Sequence, residues 1–208
     1  MSKFTKIIFL LPFILLIGTS YWYYEQLQAV KNANFIIINK ADMTLYQYNY
    51  KGELKHQFKV ATGENFGNKI KKGDHKTPEG IFTITEVLDA SAWSHDFKDG
   101  LGIINGAYGP YFIRLNVPGQ KGIGIHGTHN NASLGKRASE GCIRLNNDDL
   151  KQLVQNIETN SVVVITPSID DVKFNANPDM PNNSDIKNKI EKQIKERPTK
   201  AGNSITIK

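Results

Sequence analysis

The residues best suited to chemistry lie in Ile125-His126-Gly127-Thr128-His129 and, after a loop, in Ala138-Ser139-Glu140-Gly141-Cys142-Ile143-Arg144-Leu145. Cysteine attacks carbonyl carbon as the thiolate, so it needs a base or a positive neighbour. A histidine supplies the base once a third group fixes its tautomer. His126 ends a strand-like run and Cys142 follows sixteen residues later, a separation that lets the chain return to the same face of a sheet. Gly141 allows close backbone approach, and its N–H could join that of Cys142 in stabilising an oxyanion. Arg144 would project nearby, where it could hold a carboxylate through two hydrogen bonds. Other readings of the same residues stay open. A lone cysteine is commonly a small buried hydrophobe. His126, His129 and Cys142 could instead be three ligands of a zinc ion, with an Asp or Glu as the fourth. On a strand, however, His-x-x-His points its two rings to opposite faces, so His129 is expected in a loop near the cleft.

Strands must position these groups. Phe35-Ile36-Ile37-Ile38 is a short buried run. Leu45 to Tyr50 alternates, Lys51-Gly52 turns, and Leu54, His56, Phe58 and Val60 alternate again, which predicts a hairpin. Further runs are Ile81–Ile84, after Thr77-Pro78-Glu79-Gly80, then Tyr111–Leu115, and the glycine-flanked Ile123–His126. One helix is clear: Asn146 or Asn147 caps it, Asp148 and Asp149 suit its first turn, and Leu150, Leu153, Val154 and Ile157 share a face. Ser161–Ile165 closes the domain before Pro167. His56, His75 and His95 read as ordinary strand or surface residues, and Trp93 and Tyr108 as packing for a long loop or as lining for a cleft.

The ends differ from this middle. Lys3 and Lys6 precede an apolar run from Ile7 to Ile17, and the aromatic cluster Tyr21–Tyr24 follows. That layout predicts export, with residues 1–25 as a signal peptide or, the favoured reading, a transmembrane anchor. No cysteine follows the run, which excludes a lipoprotein anchor. From Ile169 the composition turns to Asn, Pro, Lys and Asp, which predicts a polar, disordered tail over 169–208. Ile186, Ile190 and Ile194 could add a short helix around 185–196. Across 208 residues the formal charge is +6, divided as +2 over each of residues 1–33, 34–168 and 169–208, so no basic stripe points to nucleic acid. A single cysteine excludes an internal disulfide, a four-cysteine zinc ribbon and an iron–sulfur site. In an oxidising compartment a solitary thiol also suits a protein that needs its thiolate free.

Taken whole, His-Gly-Thr followed by Ser-x-Gly-Cys-Ile-Arg-Leu resembles the signature of the L,D-transpeptidase (YkuD-type) catalytic domain. The resemblance extends upstream to Val60-Ala61-Thr62-Gly63 and Thr77-Pro78-Glu79-Gly80-Ile81-Phe82, and covers roughly residues 34–167. It implies a mainly β, sandwich-like catalytic domain over 34–168. It further implies Cys142 as nucleophile and His126 as base, with the Gly127 carbonyl orienting His126. Ser139 and Arg144 would shape the site and touch substrate, and the amides near Gly141 and Cys142 would stabilise the oxyanion. The implied reaction is acyl transfer on peptidoglycan stem peptides, with no metal or cofactor. The second substrate would be another stem, a wall-attached lipoprotein, or water, in which case the protein is an L,D-carboxypeptidase. The expected location is the periplasm or cell envelope. One position departs: Glu140 stands where the family often has histidine. A carboxylate there could oppose thiolate formation or stabilise a His126 cation, and it leaves open a domain that binds the wall without catalysis.

Overall fold

Alternating β-branched and aromatic residues drive most of the chain into strands, and the side chains that turn inward build one core. The computed structural model describes residues 3–32, 34–97, 102–182, 185 and 192. The strands are β1 (Asn34–Asn39), β2 (Thr44–Asn49), β3 (Leu54–Lys59), β4 (Thr62–Gly63), β5 (Gly80–Asp89), β6 (Ser94–Asp96), β7 (Ile103–Asn105), β8 (Tyr111–Leu115), β9 (Gly124–His126), β10 (Arg137–Ser139), β11 (Ile143–Arg144) and β12 (Val162–Thr166). Helices α1 (Lys3–Asn32), α2 (Asn147–Val154) and α3 (Ile169–Ala176) complete the described elements, with a 3-10 turn at Asn131–Ser133. The domain is mainly β with few helices, as the sequence leads one to expect.

Eight strands form one sheet in the order β11-β9-β8-β5-β12-β1-β2-β3. β5 joins its two halves. Its first residues pair with β12 and its last with β8, and the register shifts between Ile84 and Glu86. Such a bulge bends and twists a strand, so the sheet curls about β5. The expected hairpin is β2–β3, turning at Gly52 with φ +78°. Ile36, Ile38, Leu45, Ile84, Ile113 and Ile125 are wholly buried in the shared core. α2 seals it with Leu150 and Leu153, and the Asn146 side chain caps the helix by accepting from the Asp148 N–H at 2.8 Å.

The ends bring one correction and leave one expectation unsettled. The tail predicted to be disordered from Ile169 begins with an ordered helix, α3, which extends the domain. Ser168 and Asp171 form a capping box, and Asp171 and Phe174 are buried. Polarity misled the sequence reading because Asp171 is not solvated: it pairs with Lys40 at 3.0 Å and with Arg137 at 2.6 Å, and it accepts from the Gly67 N–H at 2.7 Å. The helix suggested over 185–196 falls outside the described residues apart from Asp185 and Lys192. At the other end α1 runs through the expected export segment, and Phe13 to Ile17 and Tyr21 to Tyr24 are exposed along it. Among the described residues no helix is long and apolar enough to cross a membrane.

Candidate active site

His126 is the last residue of β9, and β11 runs parallel to it, with Ile143 opposite Ile125 and Arg144 opposite His126. Cys142 immediately precedes β11, so the two halves of the motif meet at the ends of adjacent strands. Two upstream segments brace the approach to the cysteine. The Gly63 N–H donates to Thr77 Oγ1 at 2.7 Å, and that hydroxyl donates to the Gly141 carbonyl at 2.9 Å. Gly141 itself has φ +129°, and a Cβ there would lie 2.7 Å from the Lys76 carbonyl oxygen. Only glycine fits that turn.

His126 is 3% exposed. Its Nδ1 lies 2.7 Å from the Gly127 carbonyl, which can only accept, so Nδ1 carries the proton and Nε2 has a free lone pair. Gly127 must stay small, because a Cβ there would lie 2.9 Å from Gly109 Cα. The imidazole stacks on Phe112 (5.7 Å, 12°) and tilts against Tyr108 (4.8 Å). Burial among these rings pushes its pKa down to about 3; the Gly127 hydrogen bond opposes the shift, while Arg144, His95 and His129 add to it. Cys142 is half-buried, and its thiol donates to the Gly122 carbonyl at 3.4 Å. Burial pushes that thiol up. The Gly124 amide, Arg144 and Lys69 favour the thiolate, and Glu140 opposes it. Burial thus favours the neutral thiol and the neutral imidazole.

Ser139 and Arg144 are both held by backbone groups of the segment around Cys142. Ser139 is 3% exposed, and its Oγ donates to the Cys142 carbonyl at 2.5 Å while accepting from the Gly141 N–H at 3.1 Å. It ties the loop before Cys142 together from within, and it also lines a cavity there. Because that hydroxyl engages the Gly141 N–H, the amide of Cys142 is left as the candidate oxyanion donor on this loop. Arg144 is 7% exposed, with Nη1 donating to the Ala138 carbonyl at 3.1 Å and its guanidinium 4.7 Å from the Phe97 ring centre.

The sequence reading passed over His95 and Phe97. β6 and β7 pair only with each other among the described strands, and their hairpin reaches the loop before Cys142. His95 Nε2 lies 3.1 Å from Glu140 Oε2, and the Tyr108 hydroxyl lies 3.2 Å from His95 Nδ1. Phe97 meets His95 edge to face at 4.5 Å and tilts against His129 at 5.2 Å, in addition to its contact with Arg144. Trp93 joins the same aromatic set, 5.7 Å from Tyr108 and 5.5 Å from Phe112. A cavity of about 450 Å³ opens here, lined by Phe97, His129, Ser139, Glu140 and Arg144 among others. A second, of about 480 Å³, ends at Gly122, the residue that accepts the Cys142 hydrogen bond, and is lined also by Arg114 and Lys121. Among the described residues no three His, Cys, Asp or Glu side chains converge where they could hold a metal ion.

This arrangement has relatives. YqjB of Bacillus subtilis (strain 168), a protein assigned as an L,D-transpeptidase, is 32% identical over 134 residues, covering 64% of this chain and 70% of that one. ErfK/SrfK of Escherichia coli (strain K12), assigned likewise, is 28% identical over 155 residues, covering 69% of this chain; this chain spans only 47% of that relative. The fold is similar to that of the Ldtfm–avibactam carbamoyl enzyme, with a TM-score of 0.50 at 18% identity over 65% of this chain and 49% of that one. The model of the YkuD family, the L,D-transpeptidase catalytic domain, matches residues 33–165, and the chain belongs to that family.

Proposed function

We propose that the protein is a cysteine L,D-transpeptidase that acts on peptidoglycan stem peptides. The observation that carries this reading is a buried, neutral His126, tautomerically fixed by the Gly127 carbonyl, on the strand beside a solitary cysteine. As the Cys142 sulfur adds to the carbonyl of the third residue of a donor stem, its proton passes to His126. The oxyanion forms near the Cys142 amide. Collapse breaks the amide bond, and His126 returns the proton to the departing amine of the terminal D-residue, leaving a thioester. An amine then attacks the thioester, His126 takes a proton from it, and the thiol is regenerated. The basic start and exposed apolar face of the N-terminal helix support export to the cell envelope, with that segment serving as a signal peptide or anchor.

The test is intact-protein mass spectrometry after mixing with a tetrapeptide stem. The native chain is expected to gain the mass of the stem less its terminal residue on Cys142, and Cys142→Ala to gain nothing and turn over nothing. Turnover retained by Cys142→Ala would overturn the mechanism.

A further inference from the structure

Glu140 is a residue that thioester formation does not call for, since a carboxylate beside the nucleophile opposes the thiolate. The fold nonetheless fixes it. His95 Nε2–H donates to Glu140 at 3.1 Å, which leaves His95 Nδ1 to accept from the Tyr108 hydroxyl at 3.2 Å. Its side chain is 45% exposed where it lines the cavity. Arg144 lines the same cavity, held by the Ala138 carbonyl and the Phe97 ring. One residue lies two positions before Cys142 and the other two positions after it. Glu64, on the same cavity, likewise lies 3.3 Å from His75, and Arg137 lies 2.6 Å from Asp171 with its Nη1 unpaired. A separate cavity, which includes Gly122, carries Lys121 and Arg114, the latter paired with Glu86. Its basic lining suits a donor stem with its carboxylates. The Glu140 side offers a fixed anion and a fixed cation together.

We propose that Glu140 and Arg144 select the second substrate as an α-amino-acid head, binding its ammonium at Glu140 and the carboxylate on the same carbon at Arg144. This rests on the acyl-transfer reading above and names its acceptor. The ammonium releases one proton to water, and the freed amine attacks the thioester carbonyl. The carbon–sulfur bond breaks, and the second nitrogen proton passes through His126 to the Cys142 sulfur. The D-centre of a diamino acid in a second stem has this head. A lysine side chain of a wall-attached protein carries no carboxylate on its amine-bearing carbon and is a poor acceptor.

The experiment uses the full chain and a donor tetrapeptide whose side-chain amine is acetylated, so that the donor cannot serve as acceptor. Isotope-labelled D-alanine, D-alaninamide and Nα-acetyl-lysine amide are offered separately, and amide and hydrolysis products are counted by mass spectrometry, the label separating the D-alanine product from unreacted donor. D-alanine is expected to be preferred over both by about tenfold, the scale of one charge-assisted hydrogen bond. Glu140→Gln, an isosteric change, should raise the acceptor KM and lower the amide-to-hydrolysis ratio with D-alanine by about tenfold. Arg144→Gln should narrow the preference for D-alanine over its amide. Equal use of D-alanine and D-alaninamide, an unchanged ratio in Glu140→Gln, or hydrolysis alone with every amine would overturn the inference and leave the thioester chemistry standing. Absence of any thioester on Cys142 would instead overturn the acyl-transfer reading, and this inference with it.

Discussion

Beside α3, Asp171 is buried and held in its charged form, whereas in the cleft burial disfavours the charged forms of His126 and of half-buried Cys142. The difference lies in partners. Lys40 Nζ sits 2.7 Å from Glu79 and 3.0 Å from Asp171. Asp171 further accepts from Ser168, from the Gly67 amide and from Arg137. Burial alone would raise its pKa, but the Ser168 hydrogen bond, Lys40 and the backbone amides outweigh it and hold Asp171 at about 2. His126 has one carbonyl and a wall of aromatic rings, and its burial is not offset. Saturated charges fix a helix in place; unsaturated groups remain neutral and ready to pass a proton. The same low-dielectric interior produces a joint in one case and, on the proposed function, a reaction centre in the other.

Substitutions should separate the two. His126→Gln removes the base and is expected to lower turnover by about 10²–10⁴-fold, read as thioester formation rate, while shifting the melting temperature less than a change at Asp171 does. Retained turnover in this variant would mean that the proton goes elsewhere. Asp171→Ala strands Lys40 and Arg137 without their shared counter-charge and should cost about 3–5 kcal/mol in urea unfolding. A loss below about 1 kcal/mol would show that the cluster is no joint.

Acid should also tell them apart. His126 is depressed to about 3, so on acidification the unfolded state takes up its proton first and stability falls from pH 6.5 toward 3. At pH 4.5 that amounts to about 2–3 kcal/mol, absent in His126→Gln. Asp171, also depressed, keeps its contribution above about pH 4 and loses it only as pH falls toward 2. Urea titrations at pH 7 and 4.5 on both proteins check this; equal losses in the two would contradict the assignment to His126.

Much of this was legible before the structure. The β2–β3 hairpin and α2 follow from periodicity and from one turn and one cap. Cys142, His126, Gly127 and Arg144 sit in two short segments whose spacing carries their pairing. What escaped has long-range causes. His95 meets Glu140 across 45 residues, and nothing local in its segment marks it. α3 depends on ion pairs with residues far upstream, although Ser168-x-x-Asp171 was a capping-box signal that could have found it. The hydrogen bonds of Ser139 to the Cys142 carbonyl and the Gly141 amide escaped as well, because a loop's internal hydrogen bonds leave no trace in residue types.

The most direct measurement is the pH dependence of iodoacetamide alkylation at Cys142, the only cysteine in the chain. A thiol raised by burial beside a neutral imidazole predicts a rate that climbs with pH and has its midpoint above the ordinary thiol value of about 8.5. A fast rate that stays level from pH 5 to 8 would mean a preformed thiolate–imidazolium pair, and would contradict the account of a cleft that strips charge from both groups.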